Sequence, residues 1–442
     1  MNATASPYET IAMIGLGYIG LPTAALLASR GLRVVGVDVD EAAVATINSG
    51  AVHIVEPDLD IVVRSTVTTG NLRATTTPEP ADAFLVAVPT PFKGGHGPDG
   101  ADATGGREAP EPDLSYIEAA ARAIAPVLEP GNLVVLESTS PVGTTERLSA
   151  WLAEARPDLA FPHAAGEAAD VRVAHCPERV LPGQVLQELV ANDRVIGGIT
   201  PACAEAARAL YATFVKGECL LTTARTAELC KLTENAYRDV NIGFANEMSL
   251  VCEALGVNPW ELIALANRHP RVNILKPGPG VGGHCIAVDP WFIVHSAPEA
   301  ARLIRTAREV NDDKPRHVVA RVRAKAERFR DPAIACFGLA FKADIDDLRE
   351  SPAVGIVEAL AEALETEGSG RLLVVEPHVE ALPERLARLA GADGRRVRLA
   401  SREEALAEAD IVVGLVDHRA FADITHDALD EKIVIDTRGM WR

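Results

Sequence analysis

The chain has 442 residues, of which 48% are hydrophobic and 24% are charged, values typical of a globular protein that buries a sizeable core. At about 100–200 residues per domain, this length predicts two to four domains. The formal net charge of −19 argues against a nucleic acid or an anionic membrane as a partner, because both would be repelled. An anionic ligand would need basic groups close to it.

The cysteine pattern argues against a disulfide framework and against a structural zinc site. The chain has seven cysteines, an odd number, and no CxxC pair. The sequence also shows neither a basic-then-apolar leader nor an apolar run long enough to span a bilayer. We therefore expect a cytoplasmic protein without membrane attachment.

Short apolar runs alternate with helical periodicity at the start of the chain. Residues 10–14 and 32–37 predict strands, and residues 21–30 between them predict a helix. Two further strands are predicted over residues 83–88 and 132–137. This alternation predicts an α/β domain with a parallel, doubly wound sheet.

Gly15, Gly17 and Gly20 form a GxGxxG pattern between the first strand and the first helix. The first glycine permits a tight turn, the second lets the backbone approach a pyrophosphate, and the third allows close packing at the helix N-terminus. Asp38 ends the next strand, 18 residues beyond Gly20, where an acid binds the ribose hydroxyls. Because an acid would repel a 2′-phosphate, the pattern predicts NAD rather than NADP.

Two threonines follow the later strands of this predicted sheet. The motif VAVPTP places Thr90 after the strand at 83–88, and ESTSPVGTT places Thr139 after the strand at 132–137. Ligands gather at the carboxyl ends of parallel strands, so both hydroxyls are candidates to contact the cofactor or a bound water. Taken singly, either threonine could equally be a helix cap.

Two longer segments differ in composition from this alternating region. Residues 93–113 are rich in Gly, Pro and Asp and predict a surface loop without chemistry. From residue 201 to about 266, Ala, Leu and Glu dominate with few strand signals, and residues 226–255 predict one long helix. Such a helix could join two domains and supply a subunit interface.

Cys285 follows a segment with four glycines and two prolines, PGPGVGGHC. A loop of this composition can turn its backbone N–H groups toward a bound anion or oxyanion. This marks Cys285 as a candidate nucleophile, whereas the other six cysteines are expected to be small buried hydrophobes. Asp289 lies four residues further on and could point to the same place.

Lys231, Asn235 and Arg238 are spaced by four and three residues, which places them on one face of the long predicted helix. Their apolar neighbours, Leu232 and Ala236 among them, favour a partly buried lysine suited to acid–base chemistry. A solvated polar stripe is the alternative.

Two further motifs carry charged residues in turns. HCPERVLPG places Glu178 and Arg179 between two prolines, where a surface ion-pair turn is the alternative to a site. FGLAFKADIDDLRESPA places Lys342 and Arg349 between a strand predicted over 333–339 and the start of a helix. The N-terminus of a helix can bind an anion.

The last part of the chain returns to alternation. Strands are predicted over residues 372–376, 411–416 and 433–436, and helices over 354–364 and about 403–409. This pattern predicts a second sheet of the nucleotide-binding type.

Together, these motifs resemble the UDP-glucose/GDP-mannose dehydrogenase family along almost the whole chain. The motifs are GLGYIG, VPTP, ESTSPVGTT, CPERVLPG, KLTENAYRDVNIGFANE, GVGGHC and GLAFKADIDDLRESP. Within the family, residues 269–294 and the closing DTRGMWR are most similar to the UDP-N-acetyl-D-mannosamine dehydrogenase branch. Val288 precedes Asp289 here, whereas the UDP-glucose branch typically carries a lysine at that point.

The resemblance implies two Rossmann-like, doubly wound domains joined by a central helical segment. Residues 1–205 would bind NAD, residues 206–310 would form the helical dimerisation and catalytic segment, and residues 311–442 would bind the UDP-sugar. It also implies a homodimer, NAD as the cofactor and no metal.

The resemblance further implies a role for each matching residue. Cys285 would be the nucleophile and Lys231 the general acid/base, with Asn235 and Asp289 orienting water and the oxyanion. For the hydrolysis step of this chemistry, our own hypothesis is that Glu178 and Thr139 place the water. The implied NAD contacts are Gly15, Gly17, Tyr18, Ile19, Gly20, Asp38, Thr90, Thr139 and Arg349. The implied nucleotide-sugar contacts are Arg179, Val180, Lys231, Asn235, Arg238, His269, Arg271, Gly282, Phe341, Lys342 and Arg438. His269 and Arg271 would come from the neighbouring subunit.

The implied reaction is an NAD-dependent, four-electron oxidation of the C6 alcohol of UDP-N-acetyl-D-mannosamine to a uronate. The same chemistry on UDP-N-acetylglucosamine or UDP-glucose stays open, because epimers differ at one centre. A two-electron hydroxy-acid dehydrogenase would need neither the cysteine loop nor a second nucleotide domain. An NAD-binding protein without chemistry would not need Lys231, Cys285 and Asp289 together.

Overall fold

The computed structural model describes residues 7–95, 109–181, 183–283, 285–391 and 396–441. The described chain divides into two compact units. The first contains residues 7–95, 109–234 and 295–297, and the second contains the remaining described residues. Each unit is built around its own sheet.

The first unit contains an eight-stranded sheet in the order β3-β2-β1-β4-β5-β6-β7-β8. Its strands are β1 Thr10–Ile14, β2 Arg33–Val37, β3 Leu72–Thr75, β4 Ala83–Val86, β5 Leu133–Leu136, β6 Arg172–His175, β7 Arg194–Gly198 and β8 Cys219–Thr223. Neighbouring strands are parallel except β6 and β7, which pair antiparallel. The first six strands follow the order of a dinucleotide-binding sheet.

Helices cover both faces of this sheet. They are α1 Gly20–Ser29, α2 Glu41–Asn48, α3 Leu59–Thr68, α4 Ser115–Ile124, α5 Thr144–Ala155, α6 Pro162–Ala165, α7 Val185–Ala191 and α8 Pro201–Tyr211. Successive residues of a strand point to opposite faces, so Ile11 and Met13 enter one core cluster and Ala12 and Ile14 the other. The two apolar faces therefore make β1 a fully buried central strand.

One long helix, α9 Ala224–Leu255, begins in the first unit and ends in the second. Its 32 residues correspond to a length of about 48 Å at 1.5 Å per residue. The helix predicted over residues 226–255 is confirmed to within two residues.

The chain after α9 contains the remaining helices and the second sheet. These elements are α10 Pro259–Ala266, α11 Asp289–Ser296, α12 Arg302–Ala326, β9 Ala333–Phe337, α13 Pro352–Glu367, β10 Arg371–Val375, α14 Glu384–Ala387, β11 Val397–Leu399, α15 Arg402–Glu408, β12 Ile411–Gly414 and β13 Ile433–Asp436. The sheet order is β11-β10-β9-β12-β13, and all its pairs are parallel. The predicted α/β class, with two doubly wound sheets and a central helical segment, is confirmed.

The two sheets begin with the same turn. Gly15 has φ +92° and its N–H donates to Val37 O at 2.8 Å, while Gly338 has φ +97° and its N–H donates to Val375 O at 2.8 Å. Both φ values lie in the region that favours glycine. The similarity of architecture expected from the sequence therefore extends to the backbone after the first strand of each sheet.

The helical prediction for the segment from residue 201 to about 266 was wrong at residues 219–223, which form β8. This strand lies at the edge of the sheet, and the side chains of Leu220 and Leu221 are 43% and 40% exposed. An edge strand with two exposed neighbours lacks the alternation that identifies a half-buried strand. Because β8 pairs with β7, the first sheet continues beyond residue 205.

The predicted loop over residues 93–113 lies mostly outside the described residues, which omit 96–108. Its two ends are joined by an isolated bridge between Phe92 and Pro112. Lys93 N–H donates to Glu111 O at 2.9 Å, and the two side chains form an ion pair at 2.6 Å. The flanks of the loop are therefore held together at its base.

Among the described helices, none combines the length and the apolar character needed to cross a membrane.

Candidate active site

The glycine turn after β1 is shaped by close backbone contacts. A Cβ added to Gly20 would lie 1.9 Å from Gly15 O, and one added to Gly15 would lie 2.5 Å from Ala87 O. Gly17 differs, because a Cβ there would have nothing within 4 Å. Gly15 and Gly20 are therefore required by the turn itself, whereas Gly17 leaves open space beside the backbone.

Tyr18 and Ile19 complete this turn before α1. The side chain of Tyr18 is exposed, and Ile19 directly precedes the first helical residue. The first turn of α1 contains no acidic residue, so the helix itself supplies no carboxylate to offset the partial positive charge of its N-terminus. This end of α1 fits a phosphate group.

Asp38 is oriented by backbone hydrogen bonds at the carboxyl end of β2. One carboxylate oxygen accepts the N–H of Leu16 at 2.8 Å, and the other accepts the N–H of Asp40 at 3.0 Å. The carboxylate is partly exposed beside the glycine turn. Its placement fits the recognition of ribose hydroxyls.

The two threonines singled out from the sequence come together at the ends of β4 and β5. The hydroxyl of Thr90 donates to the backbone carbonyl of Thr139 at 2.6 Å. Ser138 supports the same contact, because its hydroxyl donates to Val88 O at 2.7 Å. Neither threonine directly precedes a helix, so the alternative of a helix cap does not apply.

Glu178 is buried rather than part of a surface ion-pair turn. It forms an ion pair with Arg194 at 2.6 Å, and only 8% and 3% of the two side chains are exposed. Its other carboxylate oxygen accepts the backbone N–H of Arg179 at 2.7 Å. The guanidinium of Arg179 pairs with Glu234 of α9 at 2.8 Å, and Val180 packs half-buried against the core of the first unit.

Sequence reasoning did not single out Arg194 and Glu137 as members of this buried group. Arg194 opens β7 and lies 5.5 Å from the ring centroid of Tyr211, whose hydroxyl donates to Glu137 at 2.5 Å. Burial raises the pKa of Glu137 to about 7 and the pKa of Cys176 to about 12. A charged residue in the apolar strand RVIGG and an acid directly after LVVL were the signals available in the sequence.

Cys285 is exposed and begins a tight turn. Its backbone carbonyl accepts the N–H groups of Val288 at 3.1 Å and Asp289 at 2.9 Å, so the turn leads directly into α11. The buried cysteines are Cys176, Cys203, Cys252 and Cys336. The expectation of burial was wrong for Cys219 and Cys230, which are half-buried.

Asn235 and Asp289 are brought together across 54 residues of sequence. The side-chain amide of Asn235 donates to a carboxylate oxygen of Asp289 at 2.6 Å. Asp289 is buried, with 3% of its surface exposed. The exposed thiol of Cys285 thus lies one helical turn from a buried carboxylate with a fixed partner.

Lys231, Asn235 and Arg238 all lie on α9, as predicted. Lys231 and Asn235 are half-buried, and Arg238 is exposed. Leu232 and Ala236 next to them are fully or nearly fully buried. The stripe is therefore partly buried at its N-terminal end and solvated at Arg238.

The glycine loop before Cys285 packs against the carboxyl edge of the second sheet. A Cβ at Gly282 would lie 2.9 Å from Phe341 Cβ, and one at Gly278 would lie 2.7 Å from Arg438 Nη1. Arg438 also pairs with Asp417 at 2.8 Å. The glycine loop therefore packs against two of the predicted substrate residues, Phe341 at Gly282 and Arg438 at Gly278.

The other predicted residues of the second unit are exposed. Lys342 and Arg349 lie in the loop between β9 and α13, where Arg349 forms an ion pair with Asp347 at 2.7 Å. His269 and Arg271 lie in an exposed segment after α10, where the N–H of Arg271 donates to the His269 ring at 3.3 Å.

One group of metal-ligand type lies elsewhere in the second unit. Atoms of Asp344, His378 and His418 lie within 4.8 Å of one another. Both ring nitrogens of His418 already have partners, because Nδ1 accepts the N–H of Asp344 at 2.9 Å and Nε2 lies 3.1 Å from Glu376. We therefore assign these three side chains a structural role at the edge of the second sheet.

Family models match three successive parts of the chain. They are the NAD-binding domain over residues 9–215, the central domain over residues 225–313 and the UDP-binding domain over residues 335–442 of the UDP-glucose/GDP-mannose dehydrogenase family. The chain belongs to this family.

Similar proteins carry two different names. The chain is 64% identical to an NDP-N-acetyl-D-galactosaminuronic acid dehydrogenase from Ralstonia nicotianae, over 98% of this chain and 96% of the relative. It is 59% identical to a UDP-N-acetyl-D-mannosamine dehydrogenase from Yersinia pestis, over 98% of this chain and 100% of the relative. A solved UDP-D-ManNAc dehydrogenase from Pyrococcus horikoshii is 37% identical, with a TM-score of 0.80 over 98% of this chain and 96% of that one.

These findings confirm the resemblance expected from the sequence motifs. The chain is an NAD-dependent nucleotide-sugar dehydrogenase. The individual residue roles and the domain boundaries stay predictions.

Proposed function

We propose that this chain oxidises the C6 alcohol of UDP-N-acetyl-D-mannosamine to the carboxylate of UDP-N-acetyl-D-mannosaminuronate, with Cys285 as a covalent nucleophile. One observation carries the proposal. The exposed Cys285 begins the turn that ends at Asp289, and Asp289 is buried and hydrogen-bonded to Asn235. A reactive side chain next to polar groups held by further hydrogen bonds is the arrangement that covalent catalysis requires.

NAD supplies the hydride acceptor for both oxidations. The open space at Gly17, the N-terminus of α1 and the carboxylate of Asp38 fit its pyrophosphate and ribose. The proposed NAD contacts are Gly15, Gly17, Tyr18, Ile19, Gly20, Asp38, Thr90, Thr139 and Arg349.

The first oxidation requires a base. The C6 hydroxyl gives its proton to Lys231, or to a water held by Asp289, while the carbon loses a hydride. The C6 carbon then becomes the carbonyl carbon of an aldehyde. Lys231 lies four residues before Asn235 on α9.

Cys285 makes the second oxidation possible. Its sulfur adds to the aldehyde carbon, and a proton moves to the aldehyde oxygen, which gives a thiohemiacetal. This carbon again bears a hydroxyl and a hydrogen, so it can lose a second hydride together with the hydroxyl proton. The product of that step is a thioester.

Hydrolysis releases the product. We propose that Glu178 and Thr139 hold the water that attacks the thioester carbon, after which the carbon–sulfur bond breaks and the sulfur regains a proton. Asn235 and Lys231 stabilise the oxyanion of this step, since the amide of Asn235 has a second N–H besides the one donated to Asp289. Such a donor is worth about 10²–10³ in rate.

Basic residues offset the overall negative charge of the chain around the diphosphate. The proposed nucleotide-sugar contacts are Arg179, Val180, Lys231, Asn235, Arg238, His269, Arg271, Gly282, Phe341, Lys342 and Arg438. Support comes from the packing of the glycine loop on Phe341 and Arg438. The UDP-binding family model covers three of these residues, Phe341, Lys342 and Arg438.

A second candidate substrate belongs to the N-acetylgalactosamine series. The two Ralstonia relatives whose name gives N-acetyl-D-galactosaminuronic acid are 64% and 63% identical to this chain, against 59% for the mannosamine dehydrogenase from Yersinia pestis. UDP-N-acetylglucosamine and UDP-glucose are the remaining alternatives for the same chemistry.

We further propose a division of labour along the chain. Residues 1–205 bind NAD, residues 206–310 carry the catalytic loop and the dimer contact, and residues 311–442 bind the UDP-sugar. The chain acts in the cytoplasm as a homodimer, in which His269 and Arg271 of one subunit serve the site of the other. The exposure of the segment with His269 and Arg271 supports this last point.

A substrate panel tests the proposal. NADH and uronate are measured with UDP-N-acetyl-D-mannosamine, UDP-N-acetylgalactosamine, UDP-N-acetylglucosamine and UDP-glucose. We expect the highest kcat/KM with the mannosamine sugar and two NADH for each uronate. A higher kcat/KM with the galactosamine sugar would move the substrate to the second candidate.

The same assay tests the covalent step. In Cys285→Ser, we expect uronate formation to fall by at least about 10³-fold, because the thiohemiacetal cannot form. Cys219→Ser, at a half-buried cysteine of β8, serves as the control and should keep normal activity. Normal two-NADH turnover in Cys285→Ser would refute the covalent scheme.

A further inference from the structure

Polar side chains of helices α9 and α12 form hydrogen bonds with one another. We call Asp239 and Asn246 of α9 and Arg308 and Asn311 of α12 the polar seam. Their exposed fractions are 0% for Asp239, Asn246 and Arg308 and 1% for Asn311. All four lie in the second unit, which also contains Cys285.

Hydrogen bonds connect the members of the polar seam into one network. The guanidinium of Arg308 is ion-paired with Asp239, and also with Asp312 at 2.9 Å. The amide of Asn311 donates to the Asp239 carboxylate at 2.8 Å, and the amide of Asn246 donates to Asn311 Oδ1 at 2.8 Å. The network therefore runs without a break from Asp312 to Asn246.

Two members of the polar seam also contact the backbone on either side of Cys285. The side-chain oxygen of Asn246 accepts the N–H of Gly278 at 2.9 Å, at the start of the glycine loop. Arg308 Nη1 donates to the backbone carbonyl of Ile286 at 3.4 Å, directly after Cys285. The two contacts thus hold both ends of the segment that carries the thiol.

The same segment packs closely against the middle of α12 and the start of α13. Gly280 has φ +154°, and a Cβ there would lie 3.0 Å from Pro315 Cγ and 2.9 Å from Pro352 Cβ. Gly283 has φ +85° and faces the ring of Phe341. Because glycines restrict their backbone little, the direction of this loop depends on contacts from outside it.

A buried ion-pair network is a weak source of stability, since apolar residues of similar size often stabilise a protein equally well. Hydrogen bonds of fixed geometry instead orient the groups that they join. We propose that Asn246 and Arg308 are positioning residues, which hold the Cys285 loop so that the sulfur meets the aldehyde carbon. This inference rests on the proposed covalent role of Cys285.

The test uses Asn246→Leu, which is similar in size but has no acceptor for the N–H of Gly278. With UDP-N-acetyl-D-mannosamine, NADH and uronate are counted and released aldehyde is trapped with a hydroxylamine. We expect uronate formation to fall about 10²-fold, as for a misplaced catalytic group. Aldehyde should accumulate, and more than two NADH should form for each uronate.

A second variant guards against loss of folding in the first. Arg308→Lys keeps the positive charge near Asp239 but has no fork to contact Asp312 and Ile286 as well. We expect the same excess of NADH over uronate. The matched control is Lys314→Met, because Lys314 is also a buried polar residue of α12 and is bonded to Ser249 of α9, but no hydrogen bond joins it to the described residues of the loop.

The ratio of NADH to uronate separates positioning from stability. A merely structural role would lower the amount of active enzyme and leave the ratio at two in both variants, which would overturn the inference. An equal change of the ratio in Lys314→Met would overturn it as well. If Cys285→Ser itself forms uronate normally, the proposed function fails, whatever the seam variants show.

Discussion

Glu178 shows how a single acidic residue depends on its buried partners. Its carboxylate pairs with Arg194, and Arg194 stacks on Tyr211, which donates to Glu137. All four of these side chains are buried. Glu137 is the one whose protonation responds to pH in the neutral range, because burial raises its pKa to about 7.

The raised pKa of Glu137 predicts a pH-dependent stability. The folded protein binds the proton more tightly than the unfolded chain, so stability falls as pH rises from about 4.5 to about 7. In Glu137→Gln, this part of the fall should disappear, and the difference from wild type should change by on the order of 2 kcal/mol. Urea unfolding followed by circular dichroism between pH 5 and pH 8 measures it.

A constant difference between wild type and Glu137→Gln across this range would contradict the prediction. Glu79→Gln is a suitable control, because the Glu79 side chain is 43% exposed and its pKa is lowered by the hydrogen bond from Arg73.

At the scale of elements, the strand–turn–helix units of the two sheets begin alike but continue differently. After Gly15, the chain enters α1 within five residues, whereas after Gly338 it forms a loop that reaches α13 only at Pro352. In the second sheet, Glu376 accepts the N–H of Leu339 at 2.7 Å and also contacts His418. The carboxylate equivalent to Asp38 is therefore buried and occupied by protein groups.

The glycine turn predicts two different effects of added methyl groups. Gly20→Ala would place its Cβ against Gly15 O, so we expect a loss of about 1–3 kcal/mol in the free energy of unfolding. Gly17→Ala meets nothing within 4 Å and should leave the thermal midpoint nearly unchanged. Its methyl group would instead stand where the pyrophosphate approaches, and we expect about tenfold weaker NAD binding.

Thermal unfolding and titration with NAD distinguish these effects. Unchanged NAD affinity in a well-folded Gly17→Ala would show that the cofactor does not pass over this glycine.

At the scale of the whole molecule, α9 presents apolar side chains to solvent. Tyr237, Phe244 and Val251 recur every seven residues and are 71%, 52% and 40% exposed. Seven residues are nearly two turns of a helix, so the three side chains form one stripe. An exposed apolar stripe of this kind is typical of a subunit interface.

The stripe predicts the assembly of the chain. The double variant Phe244→Asp and Val251→Asp should convert the proposed homodimer into a monomer, because two carboxylates would be buried in the contact. Light scattering after size exclusion measures the mass. Ile61→Asp is the control, since Ile61 is an apolar residue of α3 in the first unit and is 62% exposed. A monomeric wild-type chain would contradict the prediction.

The sequence by itself determined the features that depend on neighbouring residues. We predicted the GxGxxG turn with Asp38, the helix α9 and the glycine loop of Cys285, because each depends on the spacing and composition of residues close together in the sequence. Strands buried on both faces, such as β1 and β12, were predicted for the same reason. An edge strand with exposed leucines, β8, has no such local pattern and was missed.

Only the tertiary structure decided which polar groups meet. Glu178 and Arg194 are 16 residues apart, Asn246 and Gly278 are 32 apart, and Asp239 and Arg308 are 69 apart. Their pairing follows from the packing of whole helices and strands, which the hydropathy pattern of the sequence does not predict. A buried polar group must find its partner wherever the fold brings one, so these contacts became visible only in the folded chain.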